Sequence, residues 1–165
     1  MNIKDSKADE ELAEGIELEE YNVENKVFLK THDRISVSLS GEIELLEDGY
    51  VETRLVTTND MLADSHGLVH GGFIFSGADY AGMAAVNEKN VVLVAADIQF
   101  LSPVKVHDEV VFKAKVRHKE GRKRNVHVEG FVFDIKVFEG ELKTVVTERH
   151  VLKLQLTKDE NEEDL

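Results

Sequence analysis

Residues His66 to Asn87 read HGLVHGGFIFSGADYAGMAAVN, and this stretch decides how the rest of the chain folds. It predicts a helix over Gly71 to Asn87 that is unusually thin, because glycine, alanine and serine fill most of its positions. Glycine within a helix costs about 1 kcal/mol relative to alanine, so a closely packed neighbour must compensate for it. The stretch also places one carboxylate, Asp79, among apolar helix neighbours such as Phe75 and Met83.

Alternating apolar and polar residues predict strands on both sides of this helix. Before it, Ile43 to Glu47 and Tyr50 to Thr57 form a predicted hairpin. After it, Val91 to Phe100 begins as a continuous apolar run, which is typical of a strand buried on both faces. Further predicted strands are Val110 to Val116, Val126 to Phe138 and Leu142 to Leu156, the last two joined at Glu139–Gly140. The pattern predicts an α+β fold in which a curved antiparallel sheet of about six strands wraps around one helix.

The acidic charge lies mainly in two terminal segments. The formal net charge of the 165 residues is -13. Residues 1–25 hold nine acids and two lysines, and residues 157–165 hold five acids and one lysine, which leaves a net charge of -2 between them. Segments of this composition cannot bury enough apolar surface to offset the entropy of ordering. We therefore expect one domain, residues 26–156, between a flexible acidic N-terminal extension and an acidic C-terminal tail.

Composition excludes several classes of function. The chain has no cysteine, which rules out disulfides, thiolate catalysis and cysteine metal sites. An acidic chain repels phosphate backbones, so no nucleic-acid partner is expected. No apolar run approaches the roughly 20 residues of a membrane span, and the first residues, MNIKDSKADEE, lack the apolar stretch of a secretion signal. The sequence therefore favours a cytoplasmic protein without a membrane partner.

The helix start and its lone acid suggest how a site is built. The first N–H groups of a helix lack internal acceptors and carry the positive end of the dipole, so Gly71 can donate to a carbonyl oxygen. Asp79 follows eight residues later, about 12 Å along the axis at about 1.5 Å per residue. One carbonyl carbon cannot contact both groups of one chain. A site that uses both therefore needs Asp79 from a second copy.

The order of two strands, one helix and four strands, with HGG at the helix start and an acid nine residues after the histidine, resembles the hotdog-fold acyl-CoA thioesterases of the phenylacetyl-CoA thioesterase type. The resemblance implies a hotdog fold, a homodimer or dimer of dimers, an acyl-CoA ligand, no metal and no further cofactor. It also implies that Asp79 attacks the thioester or activates a water while Gly71 holds the carbonyl. More loosely, the acidic N-terminal extension and the motif resemble the flagellum-associated hotdog virulence proteins of epsilonproteobacteria.

Further site residues follow from the resemblance and from charge. The expected substrate-binding residues are Asp64, Gly67, His70, Gly72, Phe75 and Met83. The basic segment KAKVRHKEGRKR suits the CoA phosphates, and Arg122, Lys123 and Arg124 are the predicted CoA-binding residues, although a solvated edge hairpin would have the same composition. His70 is expected to fix the turn rather than to act as a base. The aromatic rings of Phe73, Phe75 and Phe100 favour core packing over an acyl pocket.

Three positions depart from the pattern of the family. Asp64 stands where members carry an amide, and its carboxylate would repel a developing oxyanion unless it were turned away or protonated. Met83 replaces a polar residue and His107 replaces a glycine. These departures leave two functions open. We favour acyl-CoA hydrolysis, and the alternative is non-catalytic acyl-CoA binding by a regulatory or virulence-associated protein that acts through protein partners.

Overall fold

The computed structural model describes residues 26–154. Its elements are α1 (Val37–Ser40), β1 (Glu42–Glu47), β2 (Tyr50–Val56), a short 3-10 helix (Asn59–Met61), α2 (Gly71–Val86), β3 (Val91–Phe100), β4 (Glu109–Glu120), β5 (Lys123–Val132) and β6 (Ile135–Val146). The predicted fold class, the order of elements and the number of strands are confirmed. The acidic segments 1–25 and 157–165 lie outside the described residues. Within residues 26–154, no helix combines the length and the apolar character needed to cross a membrane.

All strand pairs are antiparallel and form one sheet in the order β1-β2-β4-β5-β6-β3. Alternation along the strands gives the sheet an inner face, which packs on α2, and an outer face. The inner face carries fully buried apolar side chains, among them Phe112, Val126, Val128 and Leu142, each 0% exposed. The outer face carries the charged residues that alternate with them. The core of the described chain therefore lies between the helix and the inner face.

The thinness of α2 allows this close packing. A Cβ atom on Gly77 would clash with the Phe112 ring, because it would lie only 3.0 Å from Cζ. It would also lie 3.2 Å from Cδ2 of Leu55. A Cβ atom on Gly82 would lie 2.5 Å from Cδ1 of Leu142. The space that helix side chains would occupy is filled by large side chains of the sheet. The closely packed neighbour predicted for the glycines is confirmed.

The prediction that Val91 to Phe100 is buried on both faces is wrong for the protomer. β3 has the predicted bounds, but it is the edge of the sheet and pairs with β6 alone. Val91 is 5% exposed, whereas Val94 is 58% and Phe100 is 53% exposed. An apolar edge strand presents unpaired backbone groups on which another strand can pair. The apolar run of β3 is therefore partly exposed at the edge of the sheet.

The predicted turn at Glu139–Gly140 is also wrong, since both residues lie inside β6. The chain instead turns at Phe133–Asp134, between the paired residues Val132 and Ile135. Phe133 has a φ of 54°, in the left-handed region that tight hairpin turns require and that glycine or asparagine usually occupies. Because phenylalanine is not a turn residue, the pattern assigned the turn to the nearest Glu-Gly pair.

Gly140 has a packing role within β6. A Cβ atom there would lie 2.7 Å from Cγ2 of Ile98, so glycine lets β3 approach. β6 then ends at Val146, and residues 151–154 are helical. The predicted strand from Leu142 to Leu156 was therefore too long.

Gly77→Ala should destabilise the fold although alanine is the better helix former. Alanine gains about 1 kcal/mol in helix propensity, whereas overpacking costs about 1 to 3 kcal/mol when the obstacle is a rigid ring. We expect a net loss in the free energy of unfolding, measured by urea denaturation. Gly82→Ala is the matched control and should lose less, because the end of the Leu142 side chain can rotate away. If Phe112→Leu failed to recover stability in the Gly77→Ala background, this explanation would be wrong.

Candidate functional site

The start of α2 leaves its first N–H groups free of any side-chain cap. His70 is the residue before the helix, with extended φ and ψ of -63° and 129°, and its side chain makes no capping hydrogen bond. The exposed imidazole instead packs edge-on against Phe73, with ring centroids 6.0 Å apart. It also lies over Gly72, where a Cβ atom would come within 2.9 Å of Nε2. The donors at Gly71 and Gly72 are thus open to an external acceptor.

The loop before α2 is organised by Asp64. Its Oδ1 atom accepts hydrogen bonds from the backbone N–H of His66 at 2.8 Å and of Leu68 at 3.2 Å. Gly67, with a φ of 90°, makes the bend that these bonds enclose. This exposed carboxylate is therefore turned into its own loop. Of the two alternatives that the sequence left open, turned away or protonated, the structure shows the first.

An apolar cavity opens beside the helix start. Its volume is about 240 Å³, and its lining includes Leu68, Gly71, Ile74, Phe100 and Val104. The Phe100 ring approaches Gly71 so closely that a Cβ atom there would lie 3.3 Å from Cε1. Phe100 was expected in the core, but the structure places it half-exposed at this cavity. The cavity joins an apolar space to the open N–H groups of the helix.

Asp79 lies in the middle of α2 and is largely surrounded by protein. Its Oδ1 atom is buried and has no hydrogen-bond partner among residues 26–154. Burial raises the pKa of this carboxyl above its ordinary value of 3.8. A buried polar atom without a partner is costly in a folded protein, and such groups occur at catalytic sites more often than elsewhere. The side chain has the desolvation that makes a carboxylate a better base.

The structure brings some of the predicted site residues together and separates others. Asp64, Gly67, His70, Gly71 and Gly72 surround the helix start, as described above. Phe75, half-buried, lies one turn before Asp79 on the same helix, whereas Met83 is 1% exposed and belongs to the core. Gly71 and Asp79 occupy one continuous helix, so the distance argument made from the sequence applies to the protomer. The roles assigned to these residues stay predictions.

The three basic residues predicted to bind CoA differ in their surroundings. Arg124 is 8% exposed, and its Nη1 donates to the carbonyls of Gly121 at 2.7 Å and of Lys123 at 3.0 Å. Arg122 is exposed and pairs with Glu148. Lys123 is exposed at the start of β5. Arg124 therefore shapes the turn between β4 and β5, a role that its position in a run of basic residues did not reveal.

Sequence reasoning missed one polar group altogether. His127 and Glu129 on β5 lie beside Glu139 and Glu141 on β6, on the outer face of the sheet. We call these four residues the outer-face cluster. The signal was present, because the alternation in NVHVEGF and in FEGEL directs all four side chains away from the core.

Comparisons with known proteins bear on the same region. The sequence pattern of the Thioesterase superfamily matches residues 66–139. The chain is 31% identical over 116 residues to the acyl-coenzyme A thioesterase PaaI of Escherichia coli, which covers 69% of this chain and 77% of that protein. It is 53% identical over 117 residues to a methylthioribose-1-phosphate isomerase of Aquifex aeolicus, and 33% identical over 96 residues to the transcription factor FapR of Thermoanaerobacter sp.. These alignments cover 71% and 58% of this chain but only 26% and 48% of the two relatives.

Two solved structures share the fold at substantial sequence identity. An uncharacterized protein of Pyrococcus horikoshii, PH1136, has a TM-score of 0.76 and 45% identity, covering 76% of this chain and 97% of that chain. Cj0977, a sigma28-regulated virulence protein from Campylobacter jejuni, has a TM-score of 0.73 and 35% identity, covering 74% of this chain and 95% of that chain. The fold described here therefore accounts for nearly all of each of these structures.

Asp79→Asn should stabilise the fold at neutral pH and not in acid. Below the unfolded-state pKa the carboxyl is protonated in both states, so it adds no pH dependence. As the pH rises through the unfolded pKa and then through the raised folded pKa, the unfolded state releases its proton first and the folded state loses stability. Thermal unfolding at about pH 3 and about pH 7 should show the variant gaining several degrees at the higher pH only. Asp48→Asn, at an exposed turn, is the control, and an equal gain at both pH values would contradict the assignment.

Proposed function

Because the chain belongs to the hotdog-fold acyl-CoA thioesterase family, we propose that it binds acyl-CoA at a dimer interface and hydrolyses the thioester. The observation that carries this proposal is Asp79, whose buried Oδ1 atom has no hydrogen-bond partner in the described chain, in the middle of the helix that starts with the HGG motif. In this proposal the protein acts in the cytoplasm, where CoA thioesters occur.

The proposed reaction uses one group from the helix α2 of each protomer. The backbone N–H of Gly71 donates to the thioester carbonyl oxygen and stabilises the negative charge that develops there. Asp79 of the second copy either attacks the carbonyl carbon or removes a proton from an attacking water. When water attacks, collapse of the tetrahedral intermediate expels the CoA thiolate, which takes up the proton removed by Asp79, and leaves the free acid. When Asp79 attacks, collapse expels the thiolate and leaves a mixed anhydride of the acyl group and Asp79, which water then hydrolyses to the acid and the regenerated carboxylate. The raised pKa of Asp79 favours proton removal at neutral pH.

Binding of the two halves of the substrate uses different surfaces. The cavity of about 240 Å³ beside Gly71 is lined by apolar side chains and suits an acyl group of modest size. For the CoA phosphates we propose Lys123 and Arg122 at the turn between β4 and β5. The surface pair of Arg122 with Glu148 contributes at most about 1 kcal/mol, so a phosphate can replace it. Arg124 supports the turn through its bonds to backbone carbonyls.

The proposed mechanism requires a homodimer, because Gly71 and Asp79 of one site come from different copies of the chain. The exposed edge strand supports this arrangement. β3 is an apolar edge whose Val94 and Phe100 are more than half exposed. Pairing of this edge with a second copy would bury them and would satisfy the free backbone groups. The mass of the assembly, measured by native mass spectrometry, distinguishes a dimer from a dimer of dimers.

Non-catalytic acyl-CoA binding is the second candidate, and Asp64 favours it. This acid stands where an amide would donate to the carbonyl, and because its carboxylate is turned into its own loop and can only accept, it supplies no such donor. The similarity to a transcription factor, FapR, over 48% of that protein, supports a regulatory role for this candidate. In this alternative, protein partners would transmit the signal, in regulation or in virulence.

Asp79→Asn should abolish turnover and leave binding intact. Loss of a general base or nucleophile lowers the rate by about 100- to 10,000-fold, while the apolar cavity and the helix donors are unchanged. Native mass spectrometry with a panel of short, long and aromatic acyl-CoAs would follow bound ligand and free CoA together. Hydrolysis by the unaltered protein with retention of intact ligand by the variant is the expected result. Retention of intact ligand by both proteins would establish the binding function instead.

Gly71→Pro tests the proposed carbonyl donor. Proline is favoured at the first position of a helix, where it removes the N–H, and His70 already has the extended backbone that a following proline requires. Its ring also adds bulk beside Phe100. We expect turnover to fall by about 100-fold or more in a folded protein. Gly71→Ala keeps the N–H and adds bulk beside Phe100, so it is the matched control and should retain more activity. Equal losses in the two variants would refute the donor role.

The same two variants show whether the site is shared between chains. When inactive Gly71→Pro and Asp79→Asn proteins are unfolded together and refolded, each mixed dimer contains one intact site. Random pairing in a symmetric dimer should therefore restore roughly a quarter of the native activity. If both residues acted within one chain, the mixture would stay inactive.

A further inference from the structure

The outer-face cluster lies on the side of the sheet that faces away from α2 and from the thioester site. Its four residues pair across two strands, His127 with Glu141 and Glu129 with Glu139. His127 is only 9% exposed, which is unusual for a side chain that does not point into the core. A buried imidazole surrounded by three carboxylates needs a chemical explanation.

Hydrogen bonding fixes the tautomer of His127. Its Nδ1 lies 2.5 Å from Oε1 of Glu141, and the same oxygen lies 3.3 Å from Nη1 of Arg117. Arg117 contacts the same carboxylate oxygen, and a carboxylate can only accept, so Nδ1 carries the hydrogen. In the neutral ring the Nε2 lone pair is then free. A carboxylate on the distal nitrogen is the arrangement that orients histidine ligands in metal sites.

The free nitrogen faces the other two carboxylates at separations suited to a shared cation. Nε2 lies 3.4 Å from Oε1 of Glu139 and 3.8 Å from Oε1 of Glu129, longer than an ordinary hydrogen bond. One ligand atom from each of the three residues can be chosen so that all lie within 4.8 Å of one another. Ligand atoms at about 2.1 Å from a tetrahedral ion are separated by about 3.4 Å. The three atoms thus approach the spacing of three vertices around one metal ion.

Lys136 already supplies positive charge to this group. Its Nζ lies 2.5 Å from Oε2 of Glu129 and 3.6 Å from Oε1 of Glu139. Lys136 is about one-third exposed, so its flexible side chain can move aside into solvent. A metal ion entering the cluster would compete with this ammonium and not with the packing of the core.

We propose that His127, Glu129 and Glu139 bind a divalent transition-metal ion such as zinc, with Glu141 orienting the imidazole and Lys136 competing for the same carboxylates. Imidazole and carboxylate together are ligands that zinc accepts, and three protein ligands leave a position for water. The ion would join β5 to β6 on the outer face. It would take no part in the proposed hydrolysis, which occurs on the other side of the sheet. This site departs from the expectation, drawn from the sequence, that the protein has no metal.

Zinc titration of the chelator-treated full chain tests the proposal. Competition with a metal indicator dye should give one ion per chain. Glu141→Gln should weaken binding by about 10- to 100-fold by releasing the ring, and His127→Asn should abolish it. Lys136→Ala should tighten binding, because the ammonium no longer competes for the carboxylates of Glu129 and Glu139. Circular dichroism of each variant would establish that it is folded.

The matched control is His118→Asn, because His118 also pairs with a glutamate but is exposed on β4. This variant should bind zinc as the unaltered protein does. Cobalt(II) in the same site should give visible absorption bands that His127→Asn lacks. The proposal is overturned if Glu139→Gln and His127→Asn bind zinc as tightly as the unaltered protein, or if neither the unaltered protein nor Lys136→Ala binds it.

Discussion

The contact between Gly77 and the Phe112 ring sets the distance between α2 and the sheet. Because no helix side chain intervenes, β4 and its neighbours bring their own large residues to the helix backbone. The sheet must therefore curve around the helix, and the same closeness recurs where Gly82 meets Leu142. A core of this kind depends on shape more than on the number of apolar residues in the helix.

That closeness also explains the environment of Asp79. On a helix held this tightly, a side chain in the middle has little access to water, so a carboxylate there loses hydration and its pKa rises. At the helix start the glycines have the opposite effect, since they leave backbone N–H groups open beside an apolar cavity. One composition, rich in small residues, thus produces both a desolvated acid and an exposed set of donors.

Much of the fold could be predicted because the decisive signals are local. The thin helix, the first hairpin and the bounds of β3 follow from periodicity and small residues in a short window. The turn at Phe133–Asp134 could not, because a phenylalanine at positive φ contradicts turn statistics and is held there by the pairing of β5 with β6. The roles of Asp64 and Arg124 depend on hydrogen bonds to backbone atoms nearby, which residue type alone does not specify.

The edge of β3 and the Oδ1 atom of Asp79 both lack partners in the described chain, and association with a second copy would supply both. The edge of β3 exposes apolar side chains, and the Oδ1 atom of Asp79 has no donor. A second copy packed along β3, with its helix beside α2, would cover the apolar edge. It would also bring the start of its helix towards Asp79. The free energy of association would then come chiefly from the apolar edge. The carboxylate could remain desolvated because the burial of that edge would offset the cost. On this argument the stability of the proposed dimer and the reactivity proposed for Asp79 have one physical origin.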